Sequence, residues 1–120
     1  MSTKTRDDLL LPGKKLMQEN KFEQALRFFG ELAAKNPDDP VIYLHIGLAA
    51  LRLGRYESAL ANFTRGEEML KRIDWSPDEK TGWEITFAFN RALCYHRLEL
   101  YKKSSEILMI LVEKNLFASA

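Results

Sequence analysis

The side chains that could do chemistry in this chain are few and scattered. Cys94 is the one cysteine, and His45 and His96 are the two histidines. Cys94 and His96 lie two residues apart, which on a helix sends them to different sides and does not pair them for nucleophilic attack. The two histidines have no third partner at a metal-ligand spacing, so no metal site is expected. No glycine-rich phosphate loop, serine-nucleophile motif or carboxylate pair at identifiable spacing is present. Glu67-Glu68 and Asp78-Glu79 read as solvated helix charges, and Trp75 and Trp83 as packing aromatics. Cys94 reads as an inert buried thiol. Neither catalysis nor a cofactor is expected.

The elements that carry these residues follow from composition. At 120 residues, 46% hydrophobic and 29% charged, the chain has room for one domain with one core. Eighteen basic residues against seventeen acidic give a net charge of +1, without the basic surplus of a phosphate-tracking nucleic-acid binder. One cysteine cannot close an intramolecular disulfide. The opening Met-Ser-Thr-Lys-Thr-Arg-Asp-Asp lacks the apolar stretch of a secretory signal. Apolar runs such as Ile107–Val112 are far too short for a membrane span. A cytoplasmic protein without membrane or nucleic-acid partners is expected. There are eighteen leucines and only two valines, Val41 and Val112. Apolar residues recur at three- and four-residue spacings, as in Leu26, Phe29 and Leu32, which predicts an all-α fold.

Internal repetition is the strongest signal. A shift of 34 brings Gly13 onto Gly47, Phe22 onto Tyr56, Ala25 onto Ala59 and Phe29 onto Phe63. A further shift of 45 brings Gly47 onto Ala92, Tyr56 onto Tyr101, Ala59 onto Ser104 and Phe63 onto Leu108. Each unit reads as two helices joined by a short turn: Glu19-Asn20-Lys21, then Gly54-Arg55, then Glu99-Leu100. Asp39-Pro40 and Ser76-Pro77 each supply an N-cap and a proline at the first helical position, with Glu79 placed to complete a capping box. Pro12-Gly13 implies that the first helix kinks or begins near Leu11. The longer second spacing exceeds 34 by eleven residues, about three helical turns, which nearly preserves facial phase. The fourth helix is therefore expected to reach about Ile73 and the fifth to begin near Pro77, with Asp74-Trp75-Ser76 as the corner.

These units resemble the tetratricopeptide repeat family, in Tyr43, Ile46, Gly47, Ala50, Gly54, Tyr56, Ala59 and Phe63 of the second unit above all. Pro37 closes the first unit, and Ala92, Tyr95, Tyr101, Ser104, Leu108 and Leu111 mark the third. The resemblance implies one domain over residues 1–120, a right-handed superhelical stack of three helix–turn–helix repeats at about 6–39, 40–84 (with the eleven-residue extension) and 85–117. It implies a concave face lined by the first helix of each unit. Carried over, that lining is Lys14, Met17 and Gln18; then Val41, Leu44, His45, Leu48, Leu51 and Arg52; then Thr86, Phe89, Asn90, Leu93, His96 and Arg97. The family's two-carboxylate clamp for acidic chaperone tails needs lysine, asparagine, asparagine, lysine and arginine. The corresponding positions hold Leu10, Lys14, His45, Thr86 and Asn90, so no clamp is expected.

The third helix, from Val41 to Leu53, is apolar on every face and needs neighbours all round. Its stripe of Leu44, Leu48 and Leu51 needs cover, either from the chain itself or from an apolar or amphipathic segment of a protein partner. Lys14, Arg52 and Arg97 beside it favour acidic residues in such a ligand. In the last helix, Ile107, Met109 and Ile110, with Leu116 and Phe117 beyond, form a second apolar patch where a stack should end in polar residues. The expected function is protein binding by an adaptor or small chaperone. The three-repeat chaperones of type III secretion are similar. The other reading is an assembly subunit that forms homo-oligomers through the last helix.

Overall fold

The computed structural model describes residues 5–119, with side chains described to residue 114. It contains six helices and, among the described residues, no strand: α1 Arg6–Gln18, α2 Phe22–Lys35, α3 Pro40–Arg52, α4 Tyr56–Arg72, α5 Pro77–Arg97 and α6 Tyr101–Ser119. Each helix packs chiefly on its neighbours in the chain. That order of contact makes a stack of three helical hairpins. The radius of gyration of 15.0 Å exceeds the ~13.6 Å of a compact domain of this length, as an open-ended stack requires.

The turns inside the three hairpins are one structure used three times. Asn20, Gly54 and Glu99 occupy equivalent positions and all adopt positive φ, at 60°, 75° and 64°. At each turn one amide bonds back six-to-one, Lys21 to the Leu16 carbonyl, Arg55 to Ala50 and Leu100 to Tyr95. The preceding amide bonds five-to-two, Asn20 to Met17, Gly54 to Leu51 and Glu99 to His96. These are Schellman turns, and they consume carbonyls that the helix ends leave unpaired. Glycine adopts this backbone freely, asparagine tolerates it, and Glu99 adopts it at a steric cost.

Other helix ends follow the sequence as well. Asp39 accepts from the Val41 amide at 3.0 Å, and its other oxygen takes Arg6 Nε at 2.9 Å. Ser76 Oγ accepts from the Glu79 amide at 3.3 Å. A reciprocal capping box forms elsewhere, between Thr5 and Asp8, each bond 3.2 Å long. Of the two alternatives for the first helix, a start near Leu11 is ruled out: it is continuous from Arg6 through Pro12. Pro12 removes a bond to the Asp8 carbonyl, yet both residues are exposed, where water can take that carbonyl. Leu10, meanwhile, is buried and anchors the turn that precedes the proline.

The eleven extra residues lie inside the helices and leave the loop unchanged. Relative to its counterpart α2, α4 runs one turn further, to Arg72; relative to α3, α5 begins two turns earlier, at Pro77. Four residues join the two hairpins on either side, Asn36–Asp39 and Ile73–Ser76. The extension carries Trp75 and Trp83, which pack against both halves of the core. The Arg6 guanidinium lies 4.5 Å above the Trp75 ring, so the extension reaches back to the first unit.

Close approach within each hairpin depends on a ring seated on a glycine. A Cβ at Gly13 would overlap the Phe29 ring, and one at Gly47 the Phe63 ring. In the third unit Ala92 stands at the glycine position and Leu108 at that of the ring. The larger small residue is matched by a smaller large one. Gly47→Ala is therefore expected to cost about 1–3 kcal/mol by overpacking. Combining it with Phe63→Leu, the third unit's own solution, should recover at least about 1 kcal/mol of the summed single losses. Urea unfolding of the two single variants and the double variant checks this, and strict additivity would show that ring and glycine are not in conflict.

Candidate functional site

The first helices of the three hairpins, α1, α3 and α5, present equivalent positions in register. One row across them is Lys14, Leu48 and Leu93, all half-buried; the next is Met17 and Leu51, half-buried, with His96 exposed. A third is Gln18, Arg52 and Arg97, all exposed. The arrangement is two largely apolar rows edged by a polar row with two cations.

Several residues expected on this face have other employment. Leu44, with Val41, belongs to the core and leaves the lining. Leu44 lies in one cluster with Phe63 and with Phe87 of the following hairpin, and Trp75 and Trp83 of the lengthened corner pack on that cluster and on the one that holds Val41. Leu48 and Leu51 pack on the same cluster only in part. Asn90 turns its amide to the Thr86 carbonyl at 2.8 Å, within its own helix. Phe89 is exposed, beside a hollow of about 140 Å³ that it lines with Ala92, Leu93, His96, Ser104 and Leu108. Arg52 holds its guanidinium 4.6 Å above the Phe22 ring, which fixes a cation at the rim of the face.

The two histidines do not meet. His45 stacks on Phe29 with ring centroids 5.1 Å apart, while His96 lies edge-on to Tyr101 at 5.2 Å. Burial, reinforced by the charge of Lys14 and opposed by Asp39, lowers the His45 pKa from 6.5 to about 4. His45 is therefore neutral at neutral pH and adds no charge to the face. Burial also raises the Cys94 thiol to about 11, so the protonated form prevails and the sulfur acts as a small apolar filler. Among the described residues no group of three histidine, cysteine or acidic side chains could hold a metal ion, and no helix is long and apolar enough to cross a membrane.

In the last helix Met109 and Ile110 are exposed and Ile107 is half-buried. Leu116 and Phe117, expected beside them, lie outside the residues whose side chains are described. The pairing of Arg6 with Asp39 and Trp75 escaped sequence reasoning. Its available signal was the eleven-residue extension, which had to land on something.

A stack of in-register helical hairpins with one apolar face is a binding scaffold of the helical-repeat class. Residues 16–67 match the family model described as Tetratricopeptide repeat. Among curated proteins, it is similar to the Hsp70-Hsp90 organising protein of Plasmodium falciparum, with 33% identity over 63 residues, covering 52% of this chain and 24% of that protein. The chain thus aligns with about a quarter of its relative's length. The partial family match and the all-helical stack support a protein–protein interaction module.

The lowered histidine has a consequence for stability. Above pH 6.5 both folded and unfolded chains carry neutral His45. As pH falls the unfolded chain takes up a proton that the folded one accepts only near pH 4. Stability is lost progressively across that window, by on the order of 3 kcal/mol at its acid end. Unfolding measured at pH 7 and pH 4.5 should show His45→Leu losing less stability than wild type by about 2 kcal/mol. Equal losses would mean that the imidazole protonates freely in the fold.

Proposed function

We propose that this chain is a cytoplasmic, non-catalytic adaptor or small chaperone that holds an apolar or amphipathic segment of a partner protein across α1, α3 and α5. The observation that carries this reading is the pair of half-buried rows containing Leu48, Leu93, Met17 and Leu51, edged by Arg52 and Arg97. A ligand segment lays aliphatic side chains on the two rows and an acidic group toward the edge. Each well-buried aliphatic group contributes roughly 1.5–3 kcal/mol before the costs of association. The similar protein of Plasmodium falciparum is named as an organiser of Hsp70 and Hsp90. Capture of acidic chaperone tails by a two-carboxylate clamp is not the mode proposed for this chain. At the clamp positions Leu10 is buried, His45 is neutral at neutral pH, and Asn90 bonds to its own helix.

Affinity capture from lysate of the native host, with wild type beside Leu48→Glu, tests the reading by mass spectrometry. Partners retained by wild type and lost by a variant of unchanged helicity support it. Identical partner sets would remove α1, α3 and α5 as the working surface.

A second reading, self-association through the last helix, is favoured by the exposure of Met109 and Ile110 on α6. A charge in the outer part of that helix, Ile110→Glu, is then expected to lower the mass measured by light scattering. An unchanged mass counts against a contact centred on Ile110.

A further inference from the structure

The three hairpins allow the same position to be compared in three surroundings. Leu10, Leu44 and Phe89 are equivalent, and their exposures are 1%, 4% and 55%. Phe29, Phe63 and Leu108 are equivalent, at 0%, 0% and 38%. In the first two units the following hairpin covers these side chains, as His45 of α3 stacks on Phe29 and Phe87 of α5 joins Leu44 and Phe63 in one cluster. On the third hairpin nothing described follows, yet the residues keep the apolar character of a covered surface.

The opposite end of the stack is built differently. Asp8 stands at the position of Ile42 and Phe87, and Lys15 at that of Ala49 and Cys94; those four counterparts are all buried. The first hairpin thus ends in charges, as a solvated end should. Head-to-tail association of two copies would bury Asp8 and Lys15 against apolar side chains, at a desolvation cost that disfavours it. What suits the α5–α6 end is an uncharged aliphatic ridge. Among the described residues, every exposed large apolar side chain but Leu11 lies on α5, on α6 or at Leu100 between them. The chain therefore displays such a ridge on the same end that needs one. Leu111 and Val112 replace Gly66 and Glu67 there, so the 2.8 Å ion pair of Glu67 with Arg91, which joins the second unit to the third, has no counterpart on this seam.

We infer that two copies of this chain dimerise with twofold symmetry through the α5–α6 end face, Phe89 and Leu108 of each copy packing against the other's. The inference rests on self-association, as the second reading above does, but places the contact on the seam of α5 and α6 instead of the outer side of α6, so the two readings expect opposite outcomes of Ile110→Glu. An isologous interface brings each residue near its own copy, and Ile85, Phe89, Leu93, Leu108 and Val112 carry no charge to repel. Ile110 stands outside the seam, at the position of Glu31 and Arg65, both solvated in their own units.

Sedimentation equilibrium of the 120-residue chain over a micromolar-to-millimolar series tests this. Wild type is expected at twice the 13.9 kDa chain mass. Phe89→Glu and Val112→Glu, both at exposed positions, are expected to raise the dissociation constant at least about thirtyfold with helicity retained. Leu11→Glu, at the other end, and Ile110→Glu should leave the dimer intact. A monomeric wild type throughout the series overturns both the inference and the self-association reading. Growth beyond a dimer overturns the twofold arrangement. Dissociation by Ile110→Glu but not by Phe89→Glu overturns the end-face contact alone and leaves association through α6 standing.

Discussion

The contact on which the rest of this structure depends is the seating of an aromatic ring on a bare backbone. Phe29 on Gly13 and Phe63 on Gly47 let the two helices of a hairpin approach where any Cβ would hold them apart. Phe87 extends the device between hairpins, where a Cβ on Gly66 would stand 2.6 Å from its ring. Each ring is fully buried, and burial of large aromatics dominates the energy of a small core. Because the ring projects between helices, the same side chain sets hairpin geometry and supplies the floor for the next hairpin. Local packing and the repeat of the stack are therefore one constraint.

From that constraint follows the division of surfaces. A side chain of the repeat is covered where a further described hairpin packs on it. Leu44 and Phe89 occupy one position of the repeat; α5 supplies Phe87 to the cluster that holds Leu44, while Phe89 on the last described hairpin is exposed. The rows across α1, α3 and α5 differ again, with Leu48, Leu51 and Leu93 all half-covered. Half-cover is what a binding face needs: enough packing to hold a side chain still, and enough exposed area to gain from a ligand.

The chemistry of the titratable groups has the same origin. His45 is neutral because the stack seats it on Phe29, and Cys94 is inert because it lies within the α4–α5 packing. Both look reactive in a list of residues, and both serve as filler. On the proposed reading, recognition would rest on apolar area and on cations such as Arg52, which is held over the Phe22 ring.

Much of this was legible in the residues themselves. The shift of 34 aligned glycine with glycine and phenylalanine with phenylalanine, and the caps at Asp39 and Ser76 marked two helix starts within a residue. Even the fourth helix's end and the fifth's beginning followed from eleven residues making about three turns. These features are local, so backbone geometry and periodicity determine them without knowledge of distant neighbours. Pro12 was the local exception: helix continuity there depends on Leu10 being anchored in a core that periodicity does not reveal. Tertiary structure alone decided where the extension lands. Trp75 lies against Arg6, and the tryptophans of that corner help bury Val41 and Leu44, which the resemblance had assigned to the concave lining. Burial is a property of what arrives from elsewhere in the chain, and identical positions in a repeat meet different arrivals.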